Sequence, residues 1–259
     1  MTPFSRGPRE PLPAGLLENL REEQRELRKK VTLRDDFPEA GEELYIGGID
    51  VGFEEDGRVA RAAVAVLRAS DLTLVEGRIA REPATFPYIP GFLSFRELPA
   101  IHKALDLVEH PLAFLMVDGL GIAHPRGLGI ASHLGVVRDL PTLGVAKSLL
   151  VGEHAPVPEE EGTSVPLLHQ GEQVGLVLRS KAKCNPLILS PGHRVSLSTT
   201  EKLVKACLRG YRLPEPTRLA DRLTNARYRS EGVSYASGVL GLGSEYGAPL
   251  RSHPHDSRQ

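Results

Sequence analysis

The sequence predicts a single domain of mixed α/β fold, and three observations support this prediction. Three strand patterns follow one another early in the chain, and helix and strand patterns alternate after them. The chain has 259 residues, of which 41% are hydrophobic, so it can bury a full core. No internal repeat and no long linker divides it. We expect the domain to cover residues 14–230, between a flexible N-terminus (1–13) and a loose, glycine-rich extension (231–259).

The first elements are an amphipathic helix and an antiparallel meander. Leu17, Leu20 and Gln24 recur at three- and four-residue spacing. An apolar run that contains one acidic residue, Asp50, predicts a buried strand, and the following Asp56-Gly57 pair is a hairpin signal. The predicted elements are a helix at 14–31 and strands at 44–53, 60–67 and 73–81.

Helices and strands alternate in the rest of the chain. Leu98, Ile101 and Leu105 form a helical stripe, and an apolar run that ends at Asp118 is typical of a central strand with a carboxylate at its tip. The predicted strands lie at 112–117, 142–145, 173–178 and 187–189, and the predicted helices at 98–108, 127–137, 198–208 and 216–228.

Residues 87–97, here called the proline segment, have an unusual composition. The sequence Pro-Tyr-Ile-Pro-Gly-Phe-Leu-Ser-Phe-Arg-Glu contains two prolines, which fix φ and lack an N–H donor and therefore favour a stiff, non-helical loop. Tyr88 and Ile89 at the tip of such a loop are suited to insertion between stacked bases, and Glu97 stands where the next helix begins. The alternative is a buried turn whose aromatic side chains fill the core.

Three acidic residues, Asp50, Glu97 and Asp118, are predicted at rigid positions in the fold. An ionised carboxylate next to an apolar core is costly unless it is paired or bound to a metal. Oxygen ligands on rigid elements suit Mg²⁺ or Mn²⁺. Each residue alone is typical of a cap or an ion pair, so the metal site and the ion-pair interpretation both remain open at this point.

Residues 118–135, here called the glycine segment, contain glycines at 119, 121, 127 and 129. Glycine lets the backbone approach a ligand closely, which suits recognition of the edge of a flipped base. The alternative is a tight loop that needs glycine only for its turns, and the spacing differs from that of a dinucleotide-binding loop. His124 could contact a phosphate or a base, or cap the loop. Lys147, in Gly-Val-Ala-Lys-Ser, could neutralise a scissile phosphate or simply be solvated.

Composition narrows the class of protein. Cys184 and Cys207 lack metal-binding spacing, which argues against a zinc site or a disulfide framework and favours a reducing compartment. No run approaches the roughly 18 apolar residues of a membrane span, and the N-terminus has no apolar export core, so we expect a cytoplasmic protein. Residues 178–229 contain twelve Lys and Arg against three acidic residues in a chain of net charge −1. This pattern fits either phosphate contacts or solvated helix faces.

Six motifs, in this order, resemble the endonuclease V family, and they span about residues 45–222. The proline segment and the motif that begins at Asp118 are the specific ones. The motifs are Gly-Gly-Ile-Asp-Val-Gly-Phe, the proline segment, Val-Asp-Gly-Leu-Gly-Ile-Ala-His-Pro-Arg, Gly-Val-Ala-Lys-Ser, Ser-Pro-Gly-His and Pro-Glu-Pro-Thr-Arg-Leu-Ala-Asp.

The resemblance implies a fold, an activity and partners. The fold is ribonuclease H-like, with a mixed five-stranded sheet flanked by helices. The activity is cleavage of DNA at the second phosphodiester bond 3′ to a deaminated purine (hypoxanthine in inosine), which leaves 3′-hydroxyl and 5′-phosphate ends and serves DNA repair. The implied cofactor is Mg²⁺, with Mn²⁺ as a substitute. We expect a monomer that binds DNA containing deoxyinosine and has no membrane partner, and RNA containing inosine remains open as an alternative substrate.

The resemblance also implies roles for individual residues. The family carries histidine or aspartate at the position of Asp221, which by itself is typical of a solvated helix residue. The implied metal ligands and catalytic residues are Asp50, Glu97, Asp118 and Asp221, with Lys147 at the scissile phosphate; the implied wedge is Tyr88, Ile89 and Pro90; and the implied base pocket is Gly91, Leu93, Gly119, His124, Gly129 and Ile130.

Two alternative functions remain open from the sequence. A structure-specific nuclease of the same fold, acting on junctions or flaps, would share the carboxylates and would cut branched DNA without inosine. A protein that binds inosine without cleavage would require broken metal ligation, yet all four expected positions carry carboxylates. DNA and RNA substrates are not separable from the sequence, because contact with a 2′-hydroxyl leaves no sequence pattern.

Overall fold

Eight strands form one mixed sheet in the computed structural model, which describes residues 12–38 and 44–225. The strands are β1 (Tyr45–Glu54), β2 (Val59–Arg68), β3 (Leu74–Pro83), β4 (Leu112–Asp118), β5 (Thr142–Ala146), β6 (Ser164–His169), β7 (Glu172–Leu178) and β8 (Leu187–His193). Their order in the sheet is β3-β2-β1-β4-β5-β8-β7-β6; β1, β4 and β5 are parallel, and the other neighbours are antiparallel. The predicted extension (231–259) and most of the predicted N-terminal segment (1–13) lie outside the described residues.

The described part of the chain contains five helices, and four of them pack on the sheet. The helices are α1 (Leu16–Lys29), α2 (Leu93–Asp106), α3 (Ile130–Arg138), α4 (Leu197–Ala206) and α5 (Glu215–Asn225). Alanines in α2 and α3 allow these helices to pack closely on one face of the sheet, against Ile49 and Leu115. Helices α4 and α5 pack on the other face, against Ile46 and Met116, while α1 packs against α3. None of these helices is both long and apolar enough to cross a bilayer.

The predicted fold class, a mixed sheet flanked by helices, is confirmed, but the number of strands is wrong. The resemblance implies five strands, and the sheet has eight because β8, β7 and β6 extend it beyond β5. Strand β6 is missed by the sequence pattern altogether. It lies at the edge of the sheet, contains Pro166, and buries only Leu167 fully, so its sequence lacks the apolar alternation of a half-buried strand.

Two helix starts differ from the predicted ones. Helix α2 begins at Leu93, so Glu97 lies in its second turn rather than at its first residue. Helix α3 begins at Ile130 because the backbone of Gly129 is extended, with ψ of −177°. The Asp56-Gly57 turn is present as predicted, within the short 3₁₀ segment Glu55–Gly57 that joins β1 to β2.

Candidate active site

The parallel pairing of β1 and β4 brings two aspartates together. Ile49 of β1 lies opposite Val117 of β4. The next residue on each strand, Asp50 and Asp118, therefore lies at the same end of the sheet. Asp50 lies within β1, and Asp118 is the last residue of β4. Both carboxylates therefore project from the region where the central parallel strands end.

Helix α5 brings in a third carboxylate. A side chain at Gly48 would place its Cβ 1.9 Å from the carbonyl oxygen of Pro216, so only glycine lets α5 lie this close to β1. This approach puts Asp221 beside the strand ends. One carboxylate oxygen from each of Asp50, Asp118 and Asp221 lies within 4.8 Å of the others.

Lys147 lies between two of these carboxylates. It follows directly after β5, and its Nζ is 2.6 Å from Asp118 Oδ2 and 3.0 Å from Asp221 Oδ1. Burial alone would lower the pKa of Lys147, but the adjacent Asp118 and Asp221 carboxylates raise it above its ordinary value. Arg212 holds the backbone at this point, because its Nη2 donates to the Lys147 carbonyl oxygen at 3.1 Å. The lysine is therefore a fixed positive charge within the acidic group.

Burial and repulsion between carboxylates raise the pKa values of Asp50 and Glu97. Burial, followed by the charge of Asp118, raises the pKa of Asp50 to about 7, although the Thr224 hydroxyl donates a hydrogen bond to this carboxylate. Burial also raises the pKa of Glu97 well above its ordinary value, with further contributions from Asp50 and Asp118. Ionisation of these two carboxyl groups is therefore costly, and a bound cation would lower that cost.

The donor set fits a hard divalent cation. Three carboxylates offer oxygen atoms at close mutual distance, and Mg²⁺ and Mn²⁺ prefer such ligands. Glu97 is not part of this group of three among the described residues. Its side chain is buried in the wall of the adjoining cleft.

A cleft of about 500 Å³ adjoins the carboxylates. Asp50, Glu97, Asp118 and Lys147 line one part of it. Tyr88 also lines it and is 39% exposed. All six predicted pocket residues line the same cleft, namely Gly91, Leu93, Gly119, His124, Gly129 and Ile130.

Three predicted residues do not line the cleft. Asp221 approaches the site only through its contacts with the other carboxylates and Lys147. Ile89 and Pro90 belong to the loop next to Tyr88, and Pro90 is exposed. Phe92 and Phe95 of the proline segment pack against Phe86, as the buried-turn alternative predicts, while Tyr88 is partly exposed.

His124 has a partner for each ring nitrogen, one in its own loop and one in the proline segment. Its Nδ1 accepts from the backbone N–H of Arg126 at 3.2 Å, so the proton is on Nε2, which lies 3.2 Å from the carbonyl oxygen of Gly91. Burial, with the nearby Arg126, lowers the pKa of His124 to about 4. At neutral pH the ring is uncharged and caps the loop, which is one of the roles that its sequence position allows.

The sequence interpretation missed two cleft residues with an unusual exposure. Leu149 and Leu150 line the cleft, and each is 44% exposed. They directly follow Lys147 and Ser148, just after the end of β5. The one sequence signal for these cleft residues is a pair of leucines outside any strand or helix pattern and close to a charged residue. It also missed Gln24 and Arg126, which lie behind the cleft and bind its backbone.

The chain is similar in sequence and in fold to proteins of known family. The family model for endonuclease V matches residues 25–222. Endonuclease V of Azotobacter vinelandii is 55% identical over 204 residues, which cover 79% of this chain and 91% of the relative. The crystal structure of endonuclease V from Streptomyces avermitilis has a TM-score of 0.76 and 39% identity, and covers 83% of this chain and 95% of that one.

One similar structure is a complex with nucleic acid. Endonuclease V of Ciona intestinalis, with a 24mer DNA that contains an inosine followed by a ribo-adenosine, has a TM-score of 0.70 and 28% identity. The match covers 81% of this chain and 95% of that chain. The mixed sheet, the carboxylates at its strand ends and these matches define the class of this protein as a nuclease. Within that class, the chain belongs to the endonuclease V family.

Proposed function

We propose that this protein is a metal-dependent endonuclease of DNA repair that cuts at the second phosphodiester bond 3′ to inosine, leaving 3′-hydroxyl and 5′-phosphate ends. The observation that carries the proposal is the group of Asp50, Asp118 and Asp221 beside a cleft with an exposed tyrosine. The inosine-containing DNA bound by the Ciona intestinalis relative supports this choice of substrate.

We assign the metal site to Asp50, Asp118 and Asp221, with Glu97 as a further ligand from the cleft wall. A divalent cation supplies an activated water when bound, and stabilises charge on the leaving oxygen. The protein holds two of these carboxylates on adjacent parallel strands and the third on α5. Rigid elements keep the ligands in place, so little reorganisation is needed during the reaction.

Lys147 is proposed to neutralise the scissile phosphate. Its ammonium group already lies within 3.0 Å of two carboxylates, and the raised pKa keeps it charged at every physiological pH. A phosphate at the cleft would be a third anionic partner. Charge that builds on the phosphate oxygens is then offset by a group whose position is fixed before the substrate arrives.

Tyr88, with Ile89 and Pro90, is proposed to fill the gap that an extruded base leaves in the strand. Tyr88 is partly exposed at the cleft, while the aromatic residues behind it are packed into the protein. The cleft wall formed by Gly91, Leu93, Gly119, His124, Gly129 and Ile130 is proposed to receive the base. Extrusion costs less where pairing is already poor, which contributes to selectivity.

The backbone N–H groups of Gly119, Gly121, Gly127 and Gly129 already have partners within the protein, so we do not propose them as the donors that read the base. In the glycine segment they bond within the protein, as from Gly121 to Ser190 Oγ at 2.7 Å and from Gly129 to the Gly121 carbonyl at 2.8 Å. The N–H of Ile130, at the first position of α3, has no partner among the described residues. We propose that it donates to the hypoxanthine oxygen, a position where adenine carries an amine.

A labelled-strand assay tests the proposal. The purified full-length protein is incubated with Mg²⁺ and a 5′-labelled DNA strand that contains one inosine, and an otherwise identical strand with adenine serves as the control. We expect one nick, at the second bond 3′ to inosine, and no nick in the control. Asp118→Asn should abolish the nick. A nick that persists in this variant, or that appears equally in both strands, would refute the assignment.

Additional substrates separate the alternatives. Branched DNA without inosine should remain intact, because a junction or flap nuclease would cut it. Binding of the inosine strand without cleavage in either Mg²⁺ or Mn²⁺ would indicate a binding protein. A matched RNA strand with inosine determines whether the 2′-hydroxyl is accepted.

A further inference from the structure

Helix α1 buries a glutamine instead of an apolar residue. Gln24 is the one residue of α1 that is fully buried, with 0% of its surface exposed. The exposed face of the helix carries ion pairs, such as Glu18 with Arg21 and Glu26 with Lys29. A buried primary amide is costly unless its donors and acceptor have partners, so the partners of Gln24 explain its position.

Gln24 connects two segments that line the cleft. Its Nε2 donates to the carbonyl oxygen of Gly91, in the proline segment, at 3.0 Å. Its Oε1 accepts from Nε of Arg126, in the glycine segment. Arg126 Nη2 and His124 Nε2 also donate hydrogen bonds to the Gly91 carbonyl oxygen. One backbone oxygen of the proline segment is therefore held by three side chains from two other parts of the chain.

The conformation of Gly91 depends on this arrangement. Its φ of +81° lies in the left-handed region, and an added Cβ would be 2.8 Å from Arg126 Nη2. The Arg126 guanidinium lies over the Phe92 ring at 4.5 Å from the centroid, and Arg21 of α1 lies over the same ring at 5.8 Å. Helix α1 thus covers the back of the wall to which Gly91 belongs.

We propose that Gln24 is a positioning residue that sets the selectivity of the cleft for inosine. It does not line the cleft, so it acts through the Gly91 peptide and the Arg126 side chain. By joining these two groups, it fixes the distance between the two walls that enclose the base. This inference rests on the proposed function, because it assumes that the cleft receives the base.

Gln24→Met tests the inference, because methionine has a similar length and volume but cannot make either hydrogen bond. Binding of full-length protein to inosine and adenine strands is measured in Ca²⁺, which replaces Mg²⁺ to prevent cleavage. We expect the Kd for the inosine strand to rise about tenfold, because the partly buried Arg126 guanidinium loses its acceptor and the Gly91 carbonyl loses a donor. The Kd for the adenine strand, which depends on phosphate contacts, should stay unchanged.

Two further variants sharpen the test. Glu23→Met places the same side chain one position earlier, where the helix is exposed, and should bind both strands like the wild type. Gln24→Glu keeps an acceptor for Arg126 but cannot donate to Gly91, so it should lose selectivity as Gln24→Met does. The single-turnover cleavage rate at saturating enzyme should stay within about threefold of wild type in all three variants.

The possible outcomes distinguish this inference from the proposed function. If the wild type binds both strands equally, the proposed function fails. If the wild type is selective and Gln24→Met has the same ratio of the two Kd values, the inference is overturned. Equal weakening of both strands by Gln24→Met would also overturn it, because a merely structural role of α1 would produce that result.

Discussion

At the scale of the residue, the position of Lys147 has a consequence for metal binding. Its Nζ lies within hydrogen-bond distance of both Asp118 and Asp221, two of the proposed metal ligands. A cation that binds these carboxylates must share them with the ammonium group or displace it. The lysine therefore opposes metal binding by like-charge repulsion, while the proposed reaction uses the same charge on the phosphate.

Lys147→Met should separate these two effects. We expect the rate of cleavage at saturating metal to fall by about 10²- to 10³-fold, the usual loss when one preorganised charge-stabilising group is removed. The affinity for Mn²⁺ should rise, because two carboxylates lose a competing cation. Isothermal titration with Mn²⁺ and a single-turnover assay measure the two quantities. A weaker Mn²⁺ affinity would contradict the competition between lysine and metal. Lys103→Met, a change away from the cleft, is the control.

At the scale of the element, the close approach of α5 to β1 assembles the site. Gly48 leaves room for the carbonyl of Pro216, and this contact sets how far Asp221 lies from Asp50. Thr224, one turn further along α5, donates a hydrogen bond to the Asp50 carboxylate, which is a second contact between α5 and β1. Arg61 of β2 also holds α5 on the sheet, because its Nη2 donates a hydrogen bond to the Leu223 carbonyl oxygen.

Gly48→Ala should therefore disrupt the site through the helix. The added Cβ would lie 1.9 Å from the Pro216 carbonyl oxygen, so α5 must shift. We expect a loss of about 1–3 kcal/mol in the free energy of unfolding, measured by urea denaturation, and a lower Mn²⁺ affinity. Gly52→Ala on the same strand is the matched control, since its Cβ would meet Thr224 Cβ at an ordinary 3.6 Å. Equal effects of the two substitutions would show that the helix contact is not the cause.

At the scale of the whole molecule, buried titratable groups make stability depend on pH in two opposite directions. Burial lowers the pKa of His133 to about 4, so this ring is neutral in the folded protein. Its Nδ1 lies 3.0 Å from the Ser94 hydroxyl, and Phe95 packs against the ring at 5.1 Å. Asp50 and Glu97 have raised pKa values, so acid relieves their electrostatic cost while it penalises the histidine.

His133→Gln isolates the histidine contribution. Between pH 6.5 and 4 the unfolded chain binds a proton at His133 and the folded protein does not, so acid favours unfolding. The free energy of unfolding of the wild type minus that of the variant should fall by about 3 kcal/mol from pH 7 to pH 4. Urea denaturation at several pH values measures this difference, in which the carboxylate contributions cancel. A difference that stays constant with pH would contradict the buried, neutral state of His133.

Local pattern was enough to predict most elements because their signals depend on neighbouring residues. The meander of β1, β2 and β3 follows from three successive strand patterns and a turn at Asp56-Gly57. The apolar run that stops at Asp118 predicts its position at a strand end. Edge strand β6 could not be predicted in the same way, since its residues alternate poorly and its pairing with β7 depends on the rest of the sheet.

Local pattern and family resemblance together predict the fold class, the acidic residues and many of the residues that line the cleft of this nuclease, but not Leu149 and Leu150. The contacts themselves come from the folded chain: Asp221 lies beside Asp50 and Asp118, Lys147 lies between Asp118 and Asp221, and Gln24 donates to Gly91. The physical reason is distance along the chain. Hydrogen bonds and ion pairs between residues far apart in sequence leave no periodicity, and they exist only after helices pack on the sheet.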